Sequence, residues 1–330
     1  MRKVTIPGGV FYNGDCIPGS SQIPDNSVDL IITDPPYGIE GDKLHRHYNR
    51  DESFVTDGYV EIPAEEYENF SLNWIAQAER ILRPGGSIYI VSGYTNLLHI
   101  LNALHHTRLE EVNHIIWKYN FGVFTSRKFV SSHYHILYYT KPGGIRTFNT
   151  ECRVALSEKD EHGGSLNYQD REDVWIINRE YKPGRVKNKN ELPFALLSRI
   201  IQYSSNEGDL VCDLFLGGFS TARTAIGLSR NVIGFEISSG MFDTRTQEIA
   251  NLVPGSLLNT IRTPLEPERK LTRKTWTDDE INSLRNRYQE LSGTRLTEKE
   301  INNKLQEELG RGYWSIEKAL KKTGIKPGRR

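Results

Sequence analysis

Asp34-Pro35-Pro36-Tyr37 is the stretch of this sequence best equipped for chemistry. Asp34 and the Pro35 carbonyl can both accept a hydrogen bond from an NH2 group, and Tyr37 can stack on the flat ring that carries it. The lone pair of an exocyclic amine is delocalised into its heterocycle, so the amine is a poor nucleophile. Two acceptors that draw its hydrogens out of plane would localise the lone pair for attack on an electrophile. The prolines stiffen the segment: Pro35 forces Asp34 into extended geometry, and neither proline can donate to a sheet ladder. The bland alternative is a strand end followed by a Pro-Pro turn with a surface tyrosine.

A second set of residues could hold a partner for that amine. Asp213, Phe215, Gly217, Gly218 and Thr221 follow an apolar run, and Glu236 closes the next one. Strand, glycine turn, helix, strand and acid form the pattern of a βαβ nucleotide-binding unit. The glycines let backbone approach a ligand, and an acid about 20 residues on can bind a ribose diol. The pair Gly217-Gly218 lacks the full GxGxxG set, so a nucleoside without a diphosphate fits as well. Asp15, in Asn13-Gly14-Asp15-Cys16, is a further polar candidate at a strand end.

Both sets must be positioned by secondary structure. Strands are expected at Val10–Tyr12, Val28–Thr33, Ser87–Val91, Asn113–Trp117, Ser132–Thr140, Asp209–Phe215 and Asn231–Glu236. Helices are expected at Ala64–Leu82, Asn96–His106, Glu191–Ser204 and Ala222–Leu228. Arg83-Pro84-Gly85-Gly86 reads as the stop of the first helix. Strands alternating with helices indicate an α/β fold, and in open sheets of that class ligands bind at the carboxyl ends of the strands. His133 and His135, two apart on one strand, read as ordinary sheet histidines. Residues 38–63 form a long polar segment directly after Tyr37, with Lys43, His45, Arg46, His47 and Arg50. That length without periodicity suits a flap over the substrate. Residues 148–189 are aperiodic and of mixed charge, as in a solvated connection.

The chain has 330 residues with 42 basic and 42 acidic side chains, so its net charge is zero. The charge is unevenly spread. From Arg269 onward there are 16 Lys and Arg against 9 Asp and Glu, leaving 26 against 33 before it. A basic tail on an acidic body points to a polyanionic partner. Three distant cysteines, Cys16, Cys152 and Cys212, give neither a disulfide framework nor a zinc site, and no metal is expected. No apolar run is long enough to span a membrane, which suggests a cytoplasmic protein with no membrane partner.

Past a polar stretch at 263–276, Thr277 and Thr297 each open a capping box followed by helical apolar spacing. Ser315 can cap a third helix. Lys318, Lys321 and Lys322 fall on the outer side of that helix, as in a helix-turn-helix DNA-binding module. The alternative is a solvated bundle used for contacts with the body or a second subunit.

Taken together, these residues resemble the S-adenosylmethionine-dependent DNA amino-methyltransferases, which act on adenine N6 or cytosine N4. The family's D/N/S-P-P-Y/F motif is matched at Asp34-Pro35-Pro36-Tyr37. Its D-x-F-x-G-x-G-x-T motif is matched at Asp213, Phe215, Gly217 and Thr221, with Phe219 in place of the second glycine. That substitution would narrow the cofactor pocket or shift its backbone groups. Glu236 stands where the family has its ribose-binding acid, and Asp15 where it has a residue near the cofactor's adenine. The catalytic motif precedes the cofactor motif, as in the permuted β-group.

The resemblance implies a Rossmann-like, mostly parallel sheet with helices on both faces over residues 1–262. Within it would lie a catalytic half at 10–141, a target-recognition region at about 142–189 and a cofactor half at 190–262. A linker at 263–276 and a helical module at 277–330, a candidate for DNA binding, would follow. It also implies S-adenosylmethionine as cofactor, double-stranded DNA as substrate, base flipping, and direct methyl transfer to adenine N6. Cytosine N4 is the alternative target. A cognate restriction endonuclease and a second copy of the chain are candidate partners. An RNA or protein-glutamine methyltransferase and a non-catalytic DNA-binding protein are the rival classes.

Overall fold

The computed structural model describes residues 1–37, 62–120, 126–149, 172–178, 191–258 and 276–325. Lys43, His45, Arg46 and Arg50 of the expected flap lie outside these residues, as does most of the expected target-recognition region. The chain divides into two compact units, 1–263 and 264–330.

In the first unit one nine-stranded sheet takes in β1 (Arg2–Ile6), β2 (Gly9–Asn13), β3 (Val28–Thr33), β4 (Leu82–Ser92), β5 (Glu110–Lys118), β6 (His133–Thr140), β7 (Val174–Ile176), β8 (Leu210–Asp213) and β9 (Asn231–Glu236). Its order is β1-β2-β9-β8-β3-β4-β6-β5-β7. The strands from β2 to β4 in that order pair in parallel, β6 runs antiparallel between β4 and β5, and β1 is an antiparallel edge.

Side chains alternate across a pleated strand, and the central strands are apolar on both faces. Ile31, Ile88 and Ile90 face one core together with helices α1 (Cys16–Gly19), α2 (Tyr67–Ile81) and α3 (Leu97–His105). Leu30, Ile32, Tyr89 and Val91 face the other core, with α4 (Phe194–Ser204), α5 (Ser220–Gly227) and α6 (Ser239–Ile249). Trp74, Ile75, Ala78 and Ile81, spaced on one side of α2, are fully buried, which is the period that the sequence shows. Burial on both faces explains why β3 and β8 read as continuous apolar runs. Among the described residues no helix is long and apolar enough to cross a membrane.

Three expectations change. Arg83-Pro84-Gly85-Gly86 does stop the helix, but the strand already begins at Leu82. The stretch is held by Gly85 N–H to Lys141 O (2.8 Å) and Lys141 N–H to Gly86 O (3.0 Å), so it continues the sheet despite its proline. The β3–β4 register shifts between Val28 and Leu30, which accommodates the irregularity. Second, part of the aperiodic stretch after Phe148 is a strand. Val174–Ile176 pairs in parallel with β5 and buries Trp175. Three residues are too few for periodicity to show. Third, β1 adds an unexpected edge at the N-terminus.

The second unit packs α7 (Asp278–Ser292), α8 (Glu298–Leu309) and α9 (Tyr313–Lys322) around Leu284, Tyr288, Leu291, Ile301, Leu305, Ile316 and Leu320. Both capping boxes form, at Thr277/Glu280 and Thr297/Glu300. The third cap is corrected: α9 starts at Tyr313 after Gly312, and Ser315 lies inside it. The Ser315 hydroxyl instead accepts the indole N–H of Trp276 at 3.1 Å.

Candidate active site

The two motif-bearing strands are neighbours. β3 pairs with β8 in parallel, Leu30 beside Val211 and Ile31 beside Cys212, so Asp34 and Asp213 leave the sheet at the same edge. From β8 the chain crosses to β9 on one side, and from β3 to β4 on the other. The loops diverge at this switch point and open a crevice. One continuous cleft there is lined by Asp15, Asp34, Pro36, Phe70, Asp213, Phe215, Gly217, Gly218, Thr221 and Glu236, among others.

At one end the tetrapeptide is fixed by its neighbours. The Tyr37 phenol donates to the Asp34 carboxylate at 2.5 Å. Tyr67 of α2 donates its phenol to the Pro36 carbonyl (2.8 Å), and Asn96, just before α3, donates its amide N–H to the Tyr37 carbonyl (2.5 Å). Among the described residues no group donates to the carbonyl of Pro35, so that acceptor is open. The Tyr37 ring stacks on Tyr134 of β6, with centroids 5.6 Å apart and planes at 16°. Tyr134 also meets Trp117 and Tyr119 of the β5 side. A Cβ on Gly93 would lie 3.9 Å from both stacked tyrosines, so the rings pass close over that backbone.

At the other end the glycine turn and the acid of β9 form one structure. The backbone N–H of Gly217 donates to Glu236 Oε2 at 2.8 Å, and that of Ser238 donates to Oε1 at 2.8 Å. Burial raises the Glu236 carboxyl to about 7, against the pull of these two N–H groups. Asp213 is buried too, and burial lifts it to about 6 although the Thr221 hydroxyl and the Phe215 N–H (3.0 Å) hold its ionised form. Asp213 and Thr221 therefore use their hydrogen-bonding capacity to shape the turn. Asp15 borders the cleft, with Oδ1 accepting the N–H of Ile17 as the cap of α1. Phe215 lines it while its ring packs on Trp74 (5.6 Å) and Phe70 (5.8 Å).

The residue at the family's second glycine gives the clearest departure from expectation. Phe219 keeps the left-handed backbone that a glycine adopts there, with φ +60°. Its ring does not narrow the cleft. It is fully buried in the opposite core, 5.2 Å from Phe11 and 6.2 Å from Phe242. At Gly218 a Cβ would come within 2.3 Å of Glu191 Oε1, whose carboxylate is held by Arg245 at 3.2 Å. The turn thus presents backbone alone to the cleft. A bare backbone concavity ending on a buried acid suits a nucleoside whose ribose offers two hydroxyl donors.

Sequence reasoning overlooked Tyr67, Asn96 and Tyr134. Each appeared only as part of a helix or strand pattern, and nothing in the spacing ties residue 37 to residue 134. His133 and His135 sit on β6 as expected, and His135 Nδ1 lies 2.8 Å from His114 Nε2. Among the described residues no three His, Cys, Asp or Glu side chains are grouped to hold a metal.

Comparison with known proteins gives the family and the fold. Residues 28–247 match the family model described as DNA methylase. The chain is 33 % identical over 247 residues to the Type II methyltransferase M.BamHI of Bacillus amyloliquefaciens, an alignment covering 70 % of this chain and 55 % of that one. It is 28 % identical over 256 residues to the Type II methyltransferase M.HinfI of Haemophilus influenzae, covering 74 % and 69 %. The chain thus spans about half the length of the first relative. The fold is shared with TTHA0409 of Thermus thermophilus in complex with S-adenosyl-L-methionine, at TM-score 0.54 and 23 % identity, over 74 % of this chain and 94 % of that one. It is shared too with the cytosine-N4-specific PvuII DNA methyltransferase, at TM-score 0.55 and 15 % identity, over 78 % and 93 %.

Proposed function

This chain belongs to the N6/N4 family of DNA methylases, and on that premise we propose that it methylates an exocyclic amine of a base in double-stranded DNA, adenine N6 in the first place. The observation that carries the reading is the adjacency of Asp34 and the Gly217–Glu236 turn at one switch point, in one cleft. S-adenosylmethionine is the cofactor that this cleft suits, and when bound it supplies an electrophilic methyl group. Glu236 would hold its ribose hydroxyls, the backbone at Gly217 and Gly218 would lie against it, Phe215 would line its pocket, and Asp15 would stand near its adenine.

A base inside a duplex cannot reach Asp34, so the target nucleotide must rotate out of the helix, at a cost of a few kcal/mol. Tyr37 is the aromatic residue on which the extruded ring would stack. Asp34 and the Pro35 carbonyl then accept the two amine hydrogens and aim the nitrogen lone pair at the methyl carbon. As the N–C bond forms, the methyl group would leave the sulfonium sulfur, which would keep the C–S bonding pair and become a thioether. The proton displaced from the nitrogen would pass by way of Asp34 to water. No covalent enzyme intermediate is needed. The chain's contribution is positioning and a fixed electrostatic environment.

Adenine is favoured because the motif begins with Asp, as the resemblance implies. Target readout is assigned, on the resemblance alone, to residues 38–63 and 142–189. A cognate endonuclease and a second copy of the chain remain candidate partners on the same ground.

Mass spectrometry of nucleosides from duplex DNA treated with the protein and S-adenosylmethionine tests the proposal. N6-methyldeoxyadenosine is the expected product. N4-methyldeoxycytidine would keep the chemistry and replace the target. Unmodified DNA beside methylated RNA or protein would overturn the assignment.

A further inference from the structure

The second compact unit has its own core. Its charge is segregated along the chain. From Asp278 to Leu309, across α7 and α8, there are 8 Asp and Glu against 5 Lys and Arg; from Arg311 onward there are 7 Lys and Arg against the single Glu317. The basic residues in α9 share an exposed face. Trp314, Lys318, Lys321 and Lys322 follow a spacing of about one helical turn, and all four are exposed. Trp314 is 78 % exposed, an unusual place for a large aromatic ring. Lys321 pairs with Glu317 at 3.1 Å, whereas Lys318 and Lys322 face no carboxylate among the described residues.

The opposite face of α9 is locked. Ile316 and Leu320 are buried in the three-helix core. Trp276 donates to Ser315 at 3.1 Å, the Arg311 guanidinium lies 4.8 Å from the centroid of the Trp276 ring, and Arg311 pairs with Glu280 of α7 at 2.5 Å. The helix is therefore presented rigidly, with its lysines and one tryptophan outward. The connection from α8 is short, because Gly310 turns the chain at φ +60°.

We propose that α9 is a duplex-DNA docking helix whose face of Trp314, Lys318, Lys321 and Lys322 holds the double helix independently of the methylation cleft. Three exposed ammonium groups along one helix face can neutralise backbone phosphates, and the flat apolar ring among them suits the sugar edge or groove floor. The choice of DNA over RNA rests on the methylase reading above. The interaction is phosphate-directed, so it tethers the enzyme to DNA of any sequence.

The test uses the full chain and a fluorescein-labelled 24-base-pair duplex of arbitrary sequence, titrated at several NaCl concentrations. Charge reversal in the triple variant K318E/K321E/K322E should weaken binding at least tenfold and reduce the slope of log K against log salt by about 3 × 0.9, one increment for each phosphate that the variant no longer neutralises. The arginine triple K318R/K321R/K322R should restore slope and affinity, which separates a charge role from a structural one. Trp314→Ala should weaken binding without changing the slope. Methyl transfer with saturating DNA is measured in parallel. If charge reversal leaves affinity and slope unchanged while methyl transfer to DNA proceeds, the docking role is overturned and the methylase reading stands. If the slope drops as expected but no DNA is methylated, the methylase reading fails instead. Equal sensitivity on a duplex RNA probe, or a change in oligomeric state with DNA binding intact, would also overturn the proposal.

Discussion

The phenol of Tyr37 donates to the carboxylate of Asp34 at 2.5 Å within the same four-residue motif. The tyrosine thus has two separable features: a hydroxyl that orients the acid, and a ring that stacks on Tyr134. Tyr37→Phe keeps the ring and frees one acceptor site on Asp34, so single-turnover methyl transfer should stay within about tenfold of wild type. Tyr37→Ala removes a stacking surface worth about 1–3 kcal/mol, and kcat/KM for DNA should fall about 10- to 100-fold. Equal losses in both variants would show that the hydroxyl matters rather than the ring.

Asp34→Ala removes one of the two acceptors that aim the amine. Methyl transfer should fall by about 10³ or more, the scale of losing an electrostatic group in a preorganised site. Cofactor affinity, measured by calorimetry, should change little, because Glu236 and the glycine turn lie at the other end of the cleft. Near-normal turnover would mean that the catalytic group is another residue.

Burial raises Glu236 to about 7 and Asp213 to about 6, above their ordinary values of 4.5 and 3.8. An acid raised on folding binds more protons in the native state than in the unfolded one, so its contribution to stability falls as pH rises between the two values. The stability difference between wild type and Glu236→Gln, read from urea midpoints without cofactor, should therefore decline from about pH 4.5 to about pH 7 and then level off. A difference that is flat across this window would show that the carboxyl titrates normally.

Phe219 holds a left-handed backbone at a cost of about 1–2 kcal/mol for a residue with a Cβ. Its fully buried ring is worth more: truncating a buried Phe costs about 3–5 kcal/mol. Phe219→Gly restores the family's glycine and relieves the strain, yet the protein should be less stable by about 2 kcal/mol in chemical denaturation. Cofactor affinity should be preserved, since the ring does not line the cleft.

Much of this molecule was legible in its sequence, for physical reasons. Apolar runs ended by prolines or glycines, and helices with one apolar stripe, are local patterns that survive in any packing. Both capping boxes of the second unit formed because each needs only four consecutive residues. The Asp34 and Gly217 motifs could be read separately because each is contiguous. Short or irregular pieces were not legible: β7 is three residues long, and the Pro84 stretch is held to the sheet by Thr140 and Lys141, far along the chain.

The sequence by itself determined that two strands end on the motifs of Asp34 and Asp213. Only the tertiary structure decided that those two strands are neighbours, that Tyr134 of β6 faces Tyr37, and that Phe219 turns its ring into the core. Strand order and cross-strand stacking join residues about 100 to 180 positions apart. They follow from which apolar faces bury together rather than from any local spacing, so no window of sequence contains them.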